Sequence, residues 1–195
     1  MGTKYWILKS LCFCLLFPVM QAGGQTNFFA WLDGSQEVGP TNSTAIGTAI
    51  FVLNAAQDRL TIDLTISGLD LNGLQTPGIT ADNVTGLHIH RAPAGINGGV
   101  VFGMIGINND TNGDLIIDPA AGTVFSAWDL AEGNATTLAA ELPNLLAEGL
   151  YINVHTTAFP GGEIRGQIVP EPAALGLLAA GGLGLFRKHR SPKWA

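Results

Sequence analysis

Residues 25–169 of this 195-residue chain contain no lysine and no cysteine. The only two cysteines, Cys12 and Cys14, lie in the first two dozen residues. A fold built from 25–169 therefore has no disulfide to staple it and no thiolate to hold a metal, and it must rest on a packed core. About 145 residues suffice for one domain that buries roughly 68–70% of its unfolded surface. Basic residues are almost as scarce. Arg59, Arg91 and Arg165 face fourteen acidic residues, a net charge of −11 that the whole-chain value of −6 conceals. A surface of that sign repels phosphate backbones, which excludes nucleic acid as a partner. Internal repeats and coiled-coil heptads are also missing. No serine sits in a nucleophile-elbow context, and Gly95-Ile96-Asn97-Gly98-Gly99 opens no helix, so it is not a phosphate-binding loop.

What the middle lacks in basic charge, the two ends carry. Lys4 and Lys9 precede an apolar run from Leu11 to Met20, followed by Ala22, Gly23 and Gly24. Basic, apolar, then small is the order of a secretory signal peptide, here residues 1–24. At the other end, Val169-Pro170-Glu171-Pro172 leads into fourteen apolar or glycine residues, 173–186, and then Arg187-Lys188-His189-Arg190. Fourteen helical residues reach about 21 Å, short of a hydrocarbon core of about 30 Å. The basic cluster stays on the cytoplasmic side. The chain thus divides into a signal peptide (1–24), a folded domain (25–169) and an apolar tail with a basic end (170–195).

Within the domain the pattern is that of strands. Residues 59–67 alternate, with Leu60, Ile62, Leu64 and Ile66 against Thr61, Asp63, Thr65 and Ser67, which predicts a half-buried strand. Residues 47–53 are almost continuously apolar and predict a strand buried on both faces. Further strands are expected at 28–32, 84–90, 100–102, 123–127, 151–155 and 162–169, with a Gly/Asn/Pro-rich loop over 68–83. One helix is expected over 136–148, where Leu138, Leu142, Leu145 and Leu146 recur at helical spacing, Pro143 limits its length and Gly149 ends it. Trp31 and Trp128 read as core. Short strands, Gly-rich turns and one helix predict an all-β antiparallel sandwich or barrel of Greek-key type.

The candidate chemistry follows from alternation along the strands. In Leu87-His88-Ile89-His90, both imidazoles point to one face. In Tyr151-Ile152-Asn153-Val154-His155, Tyr151, Asn153 and His155 share a face, and in 162–168 so do Glu163, Arg165 and Gln167. Apolar faces turned inward would gather three histidines, an Asn, a Glu and an Arg on one polar face. Two readings compete. In the first, the imidazoles of His88, His90 and His155 bond to Asn153, Glu163, Arg165 or backbone and brace the sheet as a polar seam, with no cofactor and Glu163 paired to Arg165. In the second, the three neutral imidazoles bind Cu or Zn. Asp110-Thr111-Asn112-Gly113-Asp114, with Asp118, starts like a calcium loop. Leu115 and Ala121 stand where an EF-hand needs glycine and glutamate, so a plain turn is expected.

Four blocks in order carry a family resemblance: Phe29-Ala30 with Leu32-Asp33-Gly34-Ser35-Gln36-Glu37-Val38; Leu87-His88-Ile89-His90 with Ala94-Gly95 and Asn97-Gly98; Tyr151 to Thr156; and Gly161 to Gln167. They resemble the CHRD domain family, named for chordin, which implies a secreted β-sandwich-like interaction module. Gly99 stands where that family often has proline. The His-x-His strand also loosely resembles the copper-binding strand of Cu/Zn superoxide dismutases, whose remaining metal loop and disulfide have no counterpart here. The tail resembles the PEP-CTERM sorting signal of bacterial surface proteins, with Pro170, Glu171, Pro172 and the basic Arg187, Lys188 and Arg190 as its elements. That implies export, transient membrane contact, processing by an exosortase, and a bacterium that makes exopolysaccharide. The expectation is a non-enzymatic structural or adhesive protein of the cell surface or matrix. Its partners would be the export machinery, the exosortase, and exopolysaccharide or surface proteins. The alternative is a Cu- or Zn-binding or redox domain using the three histidines.

Overall fold

A computed structural model describes residues 24–171. The expected signal peptide apart from Gly24, the apolar segment 173–186 and the basic residues Arg187, Lys188 and Arg190 lie outside them, as does Pro172. The described chain forms strands β1 (Thr26–Asp33), β2 (Ile46–Leu53), β3 (Arg59–Ser67), β4 (Val84–Arg91), β5 (Gly99–Ile105), β6 (Ile116–Asp118), β7 (Thr123–Asp129), β8 (Leu150–Thr156), β9 (Ile164–Gln167) and β10 (Val169–Pro170), with helix α1 (Leu138–Leu146) between β7 and β8. All pairings are antiparallel, in the order β5-β4-β8-β9-β1-β2-β3-β7-β6, with β10 also paired to β1. The expected all-β antiparallel architecture is therefore present, built as one ten-stranded sheet curled into a half-barrel. No helix among the described residues is long and apolar enough to cross a membrane.

The curl follows from alternation. Phe28, Ala30 and Leu32 of β1, Ala49, Phe51 and Leu53 of β2, and Leu60, Ile62 and Leu64 of β3 all turn inward and are buried, as are Leu87, Ile89, Ile152 and Val154. A sheet that gathers its large apolar side chains on the concave face closes that core by bringing its two ends together. Phe102 on β5 and Trp128 on β7 do meet, stacked with centroids 5.2 Å apart. The loop after β7 closes the remaining gap. Asn134 donates its backbone N–H to the Val101 carbonyl at 2.7 Å and its side-chain amide to Val100 at 3.2 Å. Helix α1 covers one end with Leu138 and Leu145. Thr137 caps its start by accepting from Ala140 N–H. Its exit is made by Glu148, in left-handed conformation at φ 57°, with Gly149 N–H bonded to Asn144 O at 2.7 Å. The left-handed residue is thus Glu148, one before the expected glycine.

Two expectations are corrected. β2 is buried on one face only: Ile46 and Ile50 point outward and are exposed, because nothing covers the convex side at this strand. Trp31 is also on that side, exposed, with its Nε1 donating to Asp33 at 2.9 Å. The ladder also runs on past the expected domain end at 169. Pro170 pairs with Phe28, Glu171 N–H bonds to Asn27 O at 3.0 Å, and Asn27 Nδ2 donates to the Glu171 carboxylate at 3.2 Å.

Candidate functional site

The register of β4, β8 and β9 assembles the polar face. His88 lies opposite Asn153, which lies opposite Arg165; His90 lies opposite Tyr151, which lies opposite Gln167; and His155 lies opposite Gly86. Gly86 contributes no side chain, and the space is taken by imidazoles. A Cβ there would sit 2.7 Å from His88 Cε1 and 3.3 Å from His155 Cδ2. The three rings pack together, with centroids 5.0 Å apart for His88 and His155, 5.5 Å for His90 and His155, and 5.6 Å for His88 and His90. His88 and His90 are buried and His155 is half-buried.

The bonds within this face differ from those of the expected seam. None of the three imidazoles bonds to Asn153, Glu163 or Arg165. His90 Nδ1 lies 3.0 Å from Gly98 O, and His155 Nδ1 lies 3.1 Å from Pro160 O. Both nitrogens of His88 are buried without a hydrogen-bond partner. Burial, the first cause, pushes His88 down to about 4, with the neighbouring His155 and His90 adding to it; the Ile105 backbone opposes weakly, without proper hydrogen-bond geometry. His90 and His155 are lowered too, chiefly by burial, with the carbonyls of Gly98 and Pro160 opposing. Burial thus favours the neutral form of each ring.

Glu163 and Arg165 part company. Glu163 accepts from Ser43 Oγ at 2.6 Å and from Thr156 Oγ1, away from the rings. Arg165, 1% exposed, forms no ion pair among the described residues. Its guanidinium donates to Asn97 Oδ1 and Ile96 O, both at 3.0 Å, and lies 3.8 Å over the Tyr151 ring, which stacks on His90 at 4.9 Å. Guanidinium, phenol and imidazole thus form one column.

The carboxyl nearest this column in effect is one that alternation could not place. Glu37 arrives from the β1–β2 connection, is buried, and is pushed up to about 7 by burial, against the opposing Arg165 charge and Asn153 amide. A Cβ on Gly162 would fall 2.6 Å from Glu37 Oε1 and from Asn153 Nδ2, so a glycine is needed where this loop crosses. Beside Glu37 runs a groove of about 440 Å³, lined among others by Pro40, Asn42, Asn97 and Phe159.

The calcium-like loop is satisfied from within. The Asp110 carboxylate accepts the backbone N–H of Asn112, Gly113, Asp114 and Leu115. Asp114 and Asp129 hold the Arg59 guanidinium at 2.8 and 2.6 Å. Among the described residues, the group whose atoms converge as metal ligands consists of His88, His90 and His155, with ligand atoms within 4.8 Å of one another.

A curled antiparallel domain, acidic and carrying a buried histidine cluster on its convex side, defines an all-β module with a polar face and a C-terminal strand leading directly into an apolar tail. The CHRD domain signature matches residues 28–168, and the chain belongs to the CHRD domain family. The PEP-CTERM protein-sorting motif matches residues 169–191. The pairing makes this an exported protein sorted by an exosortase-type system to the surface or the extracellular space. No curated protein and no solved structure matches the chain.

Proposed function

We propose that the protein is a non-enzymatic interaction module of the bacterial surface or exopolysaccharide matrix, delivered there by its tail and freed or attached after an exosortase removes it. The observation that carries this reading is contiguity: the CHRD match ends at 168 and the sorting match begins at 169. No other segment lies between the two, so what the tail delivers is the β-domain itself. The acidic surface supports a role in a hydrated matrix, where like charge keeps the domain soluble. The test is made in a host with its own exosortase, using a precursor tagged before residue 170. The mature surface or secreted form is expected to lack the tail by mass. It is also expected to co-sediment with that host's isolated exopolysaccharide or envelope. An intact tail in the mature protein overturns the sorting half of the reading, and failure to co-sediment overturns the matrix half.

A further inference from the structure

The imidazole cluster has a hydrogen-bond pattern that excludes a self-contained seam. A carbonyl only accepts, so Gly98 O and Pro160 O fix the ring protons of His90 and His155 on Nδ1. In neutral rings the two Nε2 atoms are then bare lone pairs, yet they face each other at 3.4 Å. Two acceptors at that distance gain nothing from one another and need a cation between them. A proton shared between them would draw the two nitrogens closer than 3.4 Å, since charge-assisted hydrogen bonds run at about 2.7–2.9 Å. Beside them lies His88, 8% exposed, with neither nitrogen bonded. A buried polar group without a partner is destabilising, and here three lone pairs are left without partners in one place.

We infer that His88, His90 and His155 bind one divalent transition-metal ion, Zn²⁺ or Cu²⁺, with water completing its shell. The reading goes beyond the surface role proposed above and does not depend on it. Metal–imidazole bonds of about 2.0–2.1 Å at tetrahedral angles place ligand nitrogens about 3.3 Å apart. The His90–His155 edge, at 3.4 Å, already has that length. The third nitrogen lies within 4.8 Å of the other two, held there by a ring that occupies the room left by the missing side chain of Gly86. Imidazole Nδ1–H bonded to a backbone carbonyl is also the usual outer contact of a metal-ligating histidine, because it orients the ring and raises the basicity of Nε2. The donor set selects the metal. Three neutral nitrogens without a carboxylate suit Zn²⁺ or Cu²⁺ and offer nothing to Ca²⁺ or Mg²⁺, which require oxygen. The net charge of −11 over 25–169 favours any cation.

The test uses the processed protein, stripped with a chelator and dialysed separately against Zn²⁺, Cu²⁺, Ca²⁺ and Mg²⁺. After removal of free ion, one equivalent of Zn²⁺ or Cu²⁺ is expected to remain and to raise Tm, with no retention of the other two. His90→Ala and His155→Ala are each expected to lose that equivalent. Since such variants can fail to fold, the wild-type Cu²⁺ form is also measured by electron paramagnetic resonance, where three nitrogen couplings are expected. Substoichiometric retention of both metals overturns the inference. So does retention unchanged in the folded variants, or a copper spectrum with fewer than three nitrogens.

Discussion

Gly86→Ala adds one methyl group at the floor of the imidazole cluster, and its effect can be worked from distances. The new carbon would stand 2.7 Å from His88 Cε1 and 3.3 Å from His88 Nε2 and His155 Cδ2. Carbon–carbon contacts are comfortable at about 3.5–4.0 Å, so the His88 ring must retreat by most of an ångström. It has little room, since the rings of His155 and His90 lie 5.0 and 5.6 Å away by centroid and the ring is buried. Overpacking of this kind costs about 1–3 kcal/mol. For a domain of this size that is a fall in Tm of about 3–10 °C. Differential scanning calorimetry of the processed protein measures it. Gly161→Ala is the control, because a Cβ at Gly161 meets nothing within 4 Å. Truncating the ring in the same chain, Gly86→Ala with His88→Ala, should return part of the loss, with a coupling of at least about 0.5 kcal/mol. Equal Tm for the two glycine variants, or strict additivity in the double variant, refutes the packing argument.

Other expectations concern charge. The Glu37 carboxyl, raised from 4.5 to about 7, is stabilising below pH 4.5 and loses that contribution as pH climbs through 7. Glu37→Gln should therefore match wild type near pH 4 and exceed it by roughly 2 kcal/mol at pH 8, after allowance for solvent screening; urea titrations across that range would show a constant difference if the reasoning is wrong. The histidines act in the opposite sense. His88, lowered to about 4, destabilises the metal-free fold as pH falls from 6.5 toward 4, with His90 and His155 adding in the same direction, so His88→Gln should flatten the acid limb. Arg165→Lys keeps the charge but loses the planar fork to Asn97 and Ile96, and should lower stability by about 1.5–3 kcal/mol; an unchanged urea midpoint would contradict it. Arg59→Ala, with a partly exposed guanidinium, should cost less than about 1 kcal/mol, and the cost should shrink in high salt.

Period-two alternation made much of this legible. It located β3 to the residue and placed His88, His90 and His155 on one face, because the geometry of a strand leaves no other choice once Leu87, Ile89, Ile152 and Val154 go inward. What it could not supply is what covers a face. The apolar run of β2 reads as a doubly buried strand, but its convex side is uncovered, and Ile46 and Ile50 remain in solvent. Residues outside ladders were the other blind spot. Glu163 precedes β9 and turns to Ser43 and Thr156 rather than to Arg165. Glu37 reaches the polar face from a connection whose path no local pattern encodes. The proton positions on His90 and His155 depend on two loop carbonyls, at Gly98 and Pro160, that only the folded chain brings near.

Because Pro170 lies beside Phe28 and Glu171 beside Asn27, the chain enters and leaves the domain at one corner. The stretches that precede β1 and follow β10 therefore set out from the same side of the domain. A protease cutting at the tail motif works within a residue or two of a closed ladder, so its access is set by how readily the last strand lifts away from the first.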